Sequence, residues 1–181
     1  MPTTIEDLYY TKNGTINLGR TAPEDIHFRP FPFKMHRYPT SFQACDNVIV
    51  NREAGKILLV MKPKETLWRF SGGFVDPADT SLEAAAVRER IEELSINLEV
   101  TSPTYVGSFR VADPRYEDKP DKIMSAIMLS FFIFGRPQAS DDLKGGKVQW
   151  FTKDYIRRNY KTRVMPAHRP LVEKLIELNI L

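Results

Sequence analysis

"GGFVDPADTSLEAAAVRERIEELSI", residues 72–96, decides how the rest of the chain is read. Two glycines open it, and Arg88, Glu89, Arg90, Glu92 and Glu93 crowd together near its end. Between them runs an alanine-rich stretch, from about Ser81 to Leu94, filled with good helix formers and preceded by residues that can cap. On a helix, Glu89 and Glu93 stack on one face, and Glu92 lies one turn from Glu89. Unneutralised, these carboxylates repel. Arg88 and Arg90 can offset them as surface ion pairs, which is the usual fate of mixed charge on a helix. The glycines argue for something more specific. A glycine pair lets backbone approach a ligand closely and frees a carbonyl for a metal. Hard divalent cations select carboxylate and carbonyl oxygens and keep positions open for phosphate. Metal held between such acids and a pyrophosphate stabilises developing charge and activates water.

Working outward, "DNVIVN" and "KILLVM" are β-rich runs separated by "REAG", a hairpin pattern. "TLWRFSGGF" is a third extended stretch leading into the glycines. Further strands are expected at "TYVGSFRV", "IMSAIMLSFFIF" and "KVQWF", with the charged, Pro-containing loop 112–122 between the first two. "TKDYIRRNY" and "RPLVEKLIELNI" read as helices, the last with an apolar stripe at Leu171, Leu175 and Leu178. Strands mixed with helices, without regular βαβ alternation, give an α+β fold, an α/β/α sandwich around a mixed sheet.

At 181 residues the chain suits one domain with a proper core. A net charge of +3 is too small to imply nucleic-acid binding by itself, so nucleic acid is not an expected partner, and it is compatible with a small anionic substrate. Cys45 is the only cysteine, which excludes an internal disulfide and a thiolate metal site and makes the cytoplasm the expected location. The longest apolar stretch, "IMLSFFIF", is far too short to span a membrane, and the amino terminus shows no secretory pattern.

The segment 72–96 resembles the box of Nudix hydrolases, G-x5-E-x7-R-E-U-x-E-E-x-G-U with U aliphatic. Gly73 matches the opening glycine, Arg88-Glu89 and Glu92-Glu93 match the R-E and E-E pairs, and Ile96 the last aliphatic position. One extra residue separates Gly73 from Arg88, so Asp79 stands for the first glutamate, Arg90 for the aliphatic residue, and Ser95 for the late glycine. An arginine where the core is expected needs a partner. Either Ile91 takes over the packing or Arg90 reaches out to an acid. The resemblance implies that Glu89, Glu92 and Glu93, with the carbonyl of Gly73, bind Mg²⁺ or Mn²⁺. It implies that Arg88 orients a glutamate and that Asp79 holds the loop–helix junction through Arg88. It also implies a pyrophosphohydrolase acting on a nucleoside diphosphate linked to another moiety. The general base would be a box glutamate or a later acid, among Glu117, Asp118, Asp121, Asp141 and Asp142.

Substrate residues lie outside the box. Arg110 and Arg115 could bind phosphate from the 110–123 segment by bidentate hydrogen bonds. Arg69 is a third candidate, and Lys62 and Lys64 share its position before the glycines. Phe28, Phe31, Phe33, Tyr38 and Trp68 could stack a base, although aromatics more often build cores. His27, His36 and His168 lack ligand spacing and read as structural or surface residues. Residues 1–42 form an aromatic, Pro-rich extension like those that dimerise in family members active on ADP-ribose, and 43–181 the Nudix domain. ADP-ribose is the expected substrate. Dinucleotides, nucleotide sugars, nucleoside triphosphates, or a sensor that binds without catalysis are the alternatives, and a plain amphipathic helix in an unrelated domain the simplest one.

Overall fold

The hairpin expected beyond Asp46 lies at the centre of the sheet. The computed structural model describes residues 10–11, 14–15, 41–94, 97–113 and 122–181. Two compact units are distinguished, Met1–Thr40 and Ser41–Leu181. In the first, β1 (Tyr10–Thr11) pairs antiparallel with β2 (Gly14–Thr15). The aromatics Phe28, Phe31, Phe33 and Tyr38, together with His27 and His36 and the expected dimer-forming role, fall outside the described residues.

The second unit begins with β3 (Ser41–Asn51) and β4 (Lys56–Met61), joined antiparallel through Val50↔Ile57 and Asn51↔Lys56. β3 starts five residues before the "DNVIVN" run because it has a long parallel partner. That partner is β8 (Lys122–Gly135), in register from Ser41↔Lys122 to Val50↔Phe131. Backbone pairing over this length makes a strand of a polar start that side-chain patterning alone does not mark. β7 (Thr104–Val111) pairs with the first half of β8, and β6 (Leu98–Val100) with its end. β9 (Lys147–Thr152) extends the sheet beyond β4.

The neighbours of β3 change along its length. β5 is only Ser71–Phe74, shorter than the extended stretch expected, because it pairs with β3 over Ala44–Asn47 alone. β4 takes the other end. The chain between β4 and β5 therefore crosses a fork in the sheet, and Gly72 and Gly73 lie at its mouth. That crossing begins with a turn closed by Glu65 N–H donating to the Lys62 carbonyl at 3.1 Å. Pro63 presets its first corner, and Lys64 takes the second at φ 70°, a left-handed conformation disfavoured for a side chain.

Helices cover both faces, as expected of the sandwich. α1 (Leu82–Glu93) starts at Ser81, whose hydroxyl accepts from Ala84 N–H at 3.1 Å. It buries Ala85 and Ala86 against Cys45, Ala126 and Met128. On the other face α2 (Lys153–Arg163) and α3 (Arg169–Glu177) pack on Val48, Val50, Ile57 and Leu59. The stripe of α3 differs from expectation at its end. Leu171, Val172 and Leu175 are buried, but Leu178 is 38% exposed. The helix stops at Glu177, Asn179 turns the chain at φ 55°, and Leu181 returns to the core in its place. Trp68, a candidate for stacking a base, packs edge-on to Phe151 at 4.8 Å between ring centres, within the core of this face.

Backbone space distinguishes the glycines. A Cβ on Gly72, at φ 154°, would lie 2.2 Å from the Cys45 carbonyl oxygen, whereas one on Gly55 would meet nothing within 4 Å. Gly55→Ala is expected to cost about 1 kcal/mol, from its positive φ alone. Gly72→Ala should cost about 3 kcal/mol or more. Urea midpoints of the two variants check this, and equal losses would contradict the packing at the fork.

Candidate functional site

The acidic face of α1 turns toward the fork. Arg88 organises it. Its Nε and Nη2 donate to the two carboxylate oxygens of Asp79 at 3.0 and 2.9 Å, a fork-to-fork pair. Nη2 also donates to the Phe74 carbonyl at 3.0 Å, and Nη1 to Glu89 and Glu92, each at 2.8 Å. These contacts hold the guanidinium charged and raise its pKa, the Asp79 bond most of all. Arg88 in turn holds the Asp79 carboxyl below its ordinary range. Asp79 also accepts from Asp76 N–H at 2.7 Å, so it ties the turn after the glycines to the helix.

Glu89 and Glu93 are buried, Glu93 to 1% exposure, whereas Glu92 is at the rim. Burial raises the pKa of Glu89 and Arg88 opposes it. Glu89 lies so close to the loop that a Cβ on Gly73 would come within 2.6 Å of its carboxylate. Glu93 accepts from Gly72 N–H at 3.0 Å with one oxygen and meets Lys62 Nζ at 2.9 Å with the other. The oxygens gathered here are carboxylate and carbonyl, the set a hard divalent cation selects, and the glycine cradle leaves backbone rather than side chain against them. The acids are turned to cations of the chain. Among the described residues no three acidic, His or Cys side chains already converge as a metal cage.

Arg90 answers to burial with a backbone carbonyl and an acid together. Ile91 is 37% exposed, so it does not replace an aliphatic residue in the core. Arg90 Nη1 donates to the Leu98 carbonyl at 2.8 Å, and Glu99 is its charge partner. Burial lowers its pKa and Glu99 counters this.

Beside the glycines, on the α3 side of the sheet, is a cavity of about 80 Å³ lined by Asp46, Arg69, Phe74, Val111, Asp113 and His168, with both glycines at its edge. Asp46 is buried and accepts from Ser125 Oγ at 2.6 Å. Burial drives its carboxyl up to about 7, against the lowering effects of Ser125 and Arg69. His168 Nδ1 is 3.4 Å from Asp46 Oδ1, and its ring stacks on Phe70 at 6.2 Å. Burial, then the charge of Arg69, pushes the imidazole down to about 3, so it is neutral near pH 7 and makes no ion pair. Among the described residues the buried side-chain polar atoms without a hydrogen bond are Arg69 Nε, Ser71 Oγ and His168 Nδ1. Arg69 and His168 line this cavity and Ser71 immediately precedes its glycine edge, and buried polar groups without a partner are uncommon in folded proteins.

The candidates of the sequence divide accordingly. Gly73, Asp79, Arg88, Glu89, Glu92 and Glu93 come together, and Arg69 lines the adjoining cavity. Arg110 is exposed on β7 and is not among the cavity residues, although its neighbours Val111 and Asp113 are. Asp142 is exposed in a short 3-10 turn, Asp141–Leu143, near the end of α1. Arg115, Glu117, Asp118, Asp121, Ser95 and Ile96 lie outside the described residues. Asp46, Ser125 and His168 carried no signal in the sequence as a group, being brought together only by the β3–β8 register and the start of α3. Cys45, on β3 opposite Gly73, is fully buried. Desolvation, then the charges of Asp46 and Glu89, pushes its thiol up to about 12.

The family model of the NUDIX domain matches residues 42–175. The chain belongs to the Nudix family. Two curated Nudix-like relatives match over shorter stretches. A putative 8-oxo-dGTP diphosphatase of Bacillus subtilis (strain 168) is 36% identical over 80 residues, 44% of this chain and 50% of that protein. A CTP pyrophosphohydrolase of Escherichia coli (strain K12) is 47% identical over 64 residues, 33% of this chain and 44% of that protein. The chain thus spans half or less of the length of these relatives. A bifunctional NMN adenylyltransferase/ADP ribose pyrophosphatase from Francisella tularensis, solved with AMP and a manganese ion, shares the fold. Its TM-score is 0.59 at 23% identity, over 78% of this chain and 42% of that one. No described helix is long and apolar enough to cross a membrane.

The buried imidazole has a measurable consequence. A folded-state pKa near 3, below the ordinary 6.5, means the unfolded chain binds the proton first as pH falls. The contribution is fully present above pH 6.5 and is lost progressively toward pH 3. Asp46 acts in the opposite sense, its contribution being greatest below 3.8 and lost as pH rises through about 7. His168→Gln should therefore lose less stability than the parent between pH 6.5 and 4, measured by urea midpoints at each pH. An unchanged pH slope would contradict a neutral buried His168.

Proposed function

We propose that the chain is a divalent-metal-dependent pyrophosphohydrolase acting on a nucleotide-derived small molecule. One observation carries the reading: the Gly73 backbone and the acids of α1 are packed against one another, inside a Nudix domain. Glu89, Glu92, Glu93 and the Gly73 carbonyl would hold Mg²⁺ or Mn²⁺. Bound there, the metal supplies charge for a diphosphate and a more acidic water. Arg88 keeps Glu89 and Glu92 oriented, and Asp79 keeps Arg88 in place. Arg69 would meet phosphate or the group beyond it, a reading supported by its place in the cavity lining and its unpaired buried nitrogen. The loop with Arg115 and the later acids supplies further substrate contacts or the base.

Within this class ADP-ribose is the substrate first expected, and the likeness of fold to a protein named for ADP ribose pyrophosphatase activity is in keeping with it. The two curated relatives, named for 8-oxo-dGTP and CTP, support a second reading, a nucleoside triphosphate. A panel of ADP-ribose, dinucleotides, nucleotide sugars and nucleoside triphosphates with Mg²⁺ or Mn²⁺, resolved by chromatography, separates them. Glu93→Gln should lower turnover on the best substrate by about 10²- to 10⁴-fold while the circular dichroism spectrum stays that of the parent. Binding of one panel member without turnover would instead make the protein a sensor, and unaltered turnover in Glu93→Gln would rule out the assigned role of that acid.

A further inference from the structure

We propose that Lys62 is a built-in stand-in for the metal: its ammonium occupies the cation side of Glu93 in the metal-free protein and withdraws when a divalent cation binds. This rests on the metal-site reading above and extends it to a residue outside the box.

The argument starts from Glu93. Its carboxylate is almost fully enclosed, and a buried carboxylate without a positive partner is strongly unfavourable. Gly72 N–H satisfies one oxygen at 3.0 Å, a dipole rather than a charge. The other oxygen faces Lys62 Nζ at 2.9 Å. A metal ligand that deep in the protein needs its charge balanced before metal arrives, and Lys62 balances it.

Among the described residues two cations touch the acidic face, and only one of them is able to leave. Arg88 is fixed by Asp79 and the Phe74 carbonyl independently of the acids it orients. Pulling it away would break the loop–helix junction as well. Among the described residues Glu93 is the ion-pair partner of the Lys62 ammonium, and the Lys62 side chain is 36% exposed, so it reaches water without disturbing its surroundings. Its root, by contrast, is rigid. Lys62 N–H donates to Glu65 Oε2 at 3.0 Å, Glu65 N–H closes the turn on the Lys62 carbonyl, and the other Glu65 oxygen holds Arg69 at 3.3 Å. A braced backbone with a free, single-contact ammonium is the arrangement of a swinging charge. Lysine suits this task better than arginine, because its compact ammonium makes point contacts on a flexible stem. Once freed, the ammonium stays at the rim of a site that must receive a polyanion.

Because Lys62 and the metal compete for one carboxylate oxygen, each weakens the other's hold on it, and the effect is reciprocal. The test reads binding and accessibility, not turnover. Lysine acetylation followed by mass spectrometry should show Lys62 protected in metal-free protein and labelled several-fold faster in saturating Mg²⁺, with Lys144, exposed just after the Asp141–Leu143 turn, unchanged. In Mn²⁺ titrations followed by electron paramagnetic resonance, Lys62→Met should bind the ion about 5- to 100-fold more tightly than the parent, within the usual span of coupling between linked sites. Lys62→Met should also melt at lower temperature without metal and recover more on adding it. Should Lys62→Met fail to fold, the labelling of the parent and the titration of Lys62→Arg, expected to stay near the parent affinity, carry the test. Equal Lys62 labelling with and without bound metal, or equal affinity in Lys62→Met, overturns the stand-in role and leaves the metal site intact. Failure of the parent and all variants to bind Mn²⁺ overturns the metal site and this inference together.

Discussion

Main chain and carboxylate meet at Gly73 with no room for a side chain between them. The Glu89 carboxylate is so near that even a methyl group on Gly73 would overlap it. This contact fixes the distance from β5 to α1, and the rest of the site follows from that distance. The fork in the sheet exists because β4 and β5 share β3 end to end, and it delivers the two glycines to the acids. The Asp79–Arg88 pair then fastens the far end of the connecting turn, so the helix cannot drift away from the loop.

Concentrating acids in this way has an electrostatic cost, which the chain meets with dedicated cations. Arg88 serves Glu89 and Glu92 at the half-exposed edge, where a planar fork can satisfy several oxygens at once. Glu93 is deeper and receives one amide and one ammonium. Across the sheet the cavity residues follow another principle. Burial pushes the Asp46 carboxyl up to about 7 and the His168 imidazole down to about 3, so near pH 7 the imidazole is neutral and the carboxyl only part-ionised. The glycine strand thus stands between an acid-rich face and a cavity whose buried polar groups are partly unsatisfied, with Arg69 as a cation at its lining.

Local features were legible in the sequence, and the ones that depend on strand register were not. The capped alanine helix and the spacing of its acids lie within one short segment, where helical geometry is enough to place side chains, while the Asp79–Arg88 pairing, which reaches from the turn to the helix, was implied by the resemblance to the Nudix box. The β4 and β7 strands follow from their alternating or apolar runs. The early start of β3 was hidden, because "SFQAC" gains its strand character from β8, far along the chain. For the same reason Asp46 looked like the polar end of a strand instead of a buried acid bonded to Ser125. Lys62 resembled any surface lysine after a strand, and only the path of the Pro63–Lys64 turn brings it onto Glu93. The end of α3 was misread at Leu178 because periodicity continues through a helix stop that Asn179 enforces in three dimensions.

Cys45 is the chain's sole thiol, sealed beneath α1 and held far from its thiolate form. Reagents that alkylate, oxidise or crosslink sulfur need the thiolate, so the native fold is silent toward them. Cysteines introduced at exposed positions would alone carry fluorophores or spin labels, and a pair of them on either side of the fork would report its width without first deleting a natural residue. Reactivity at Cys45 itself would report something else: that β3 and the helix above it had come apart.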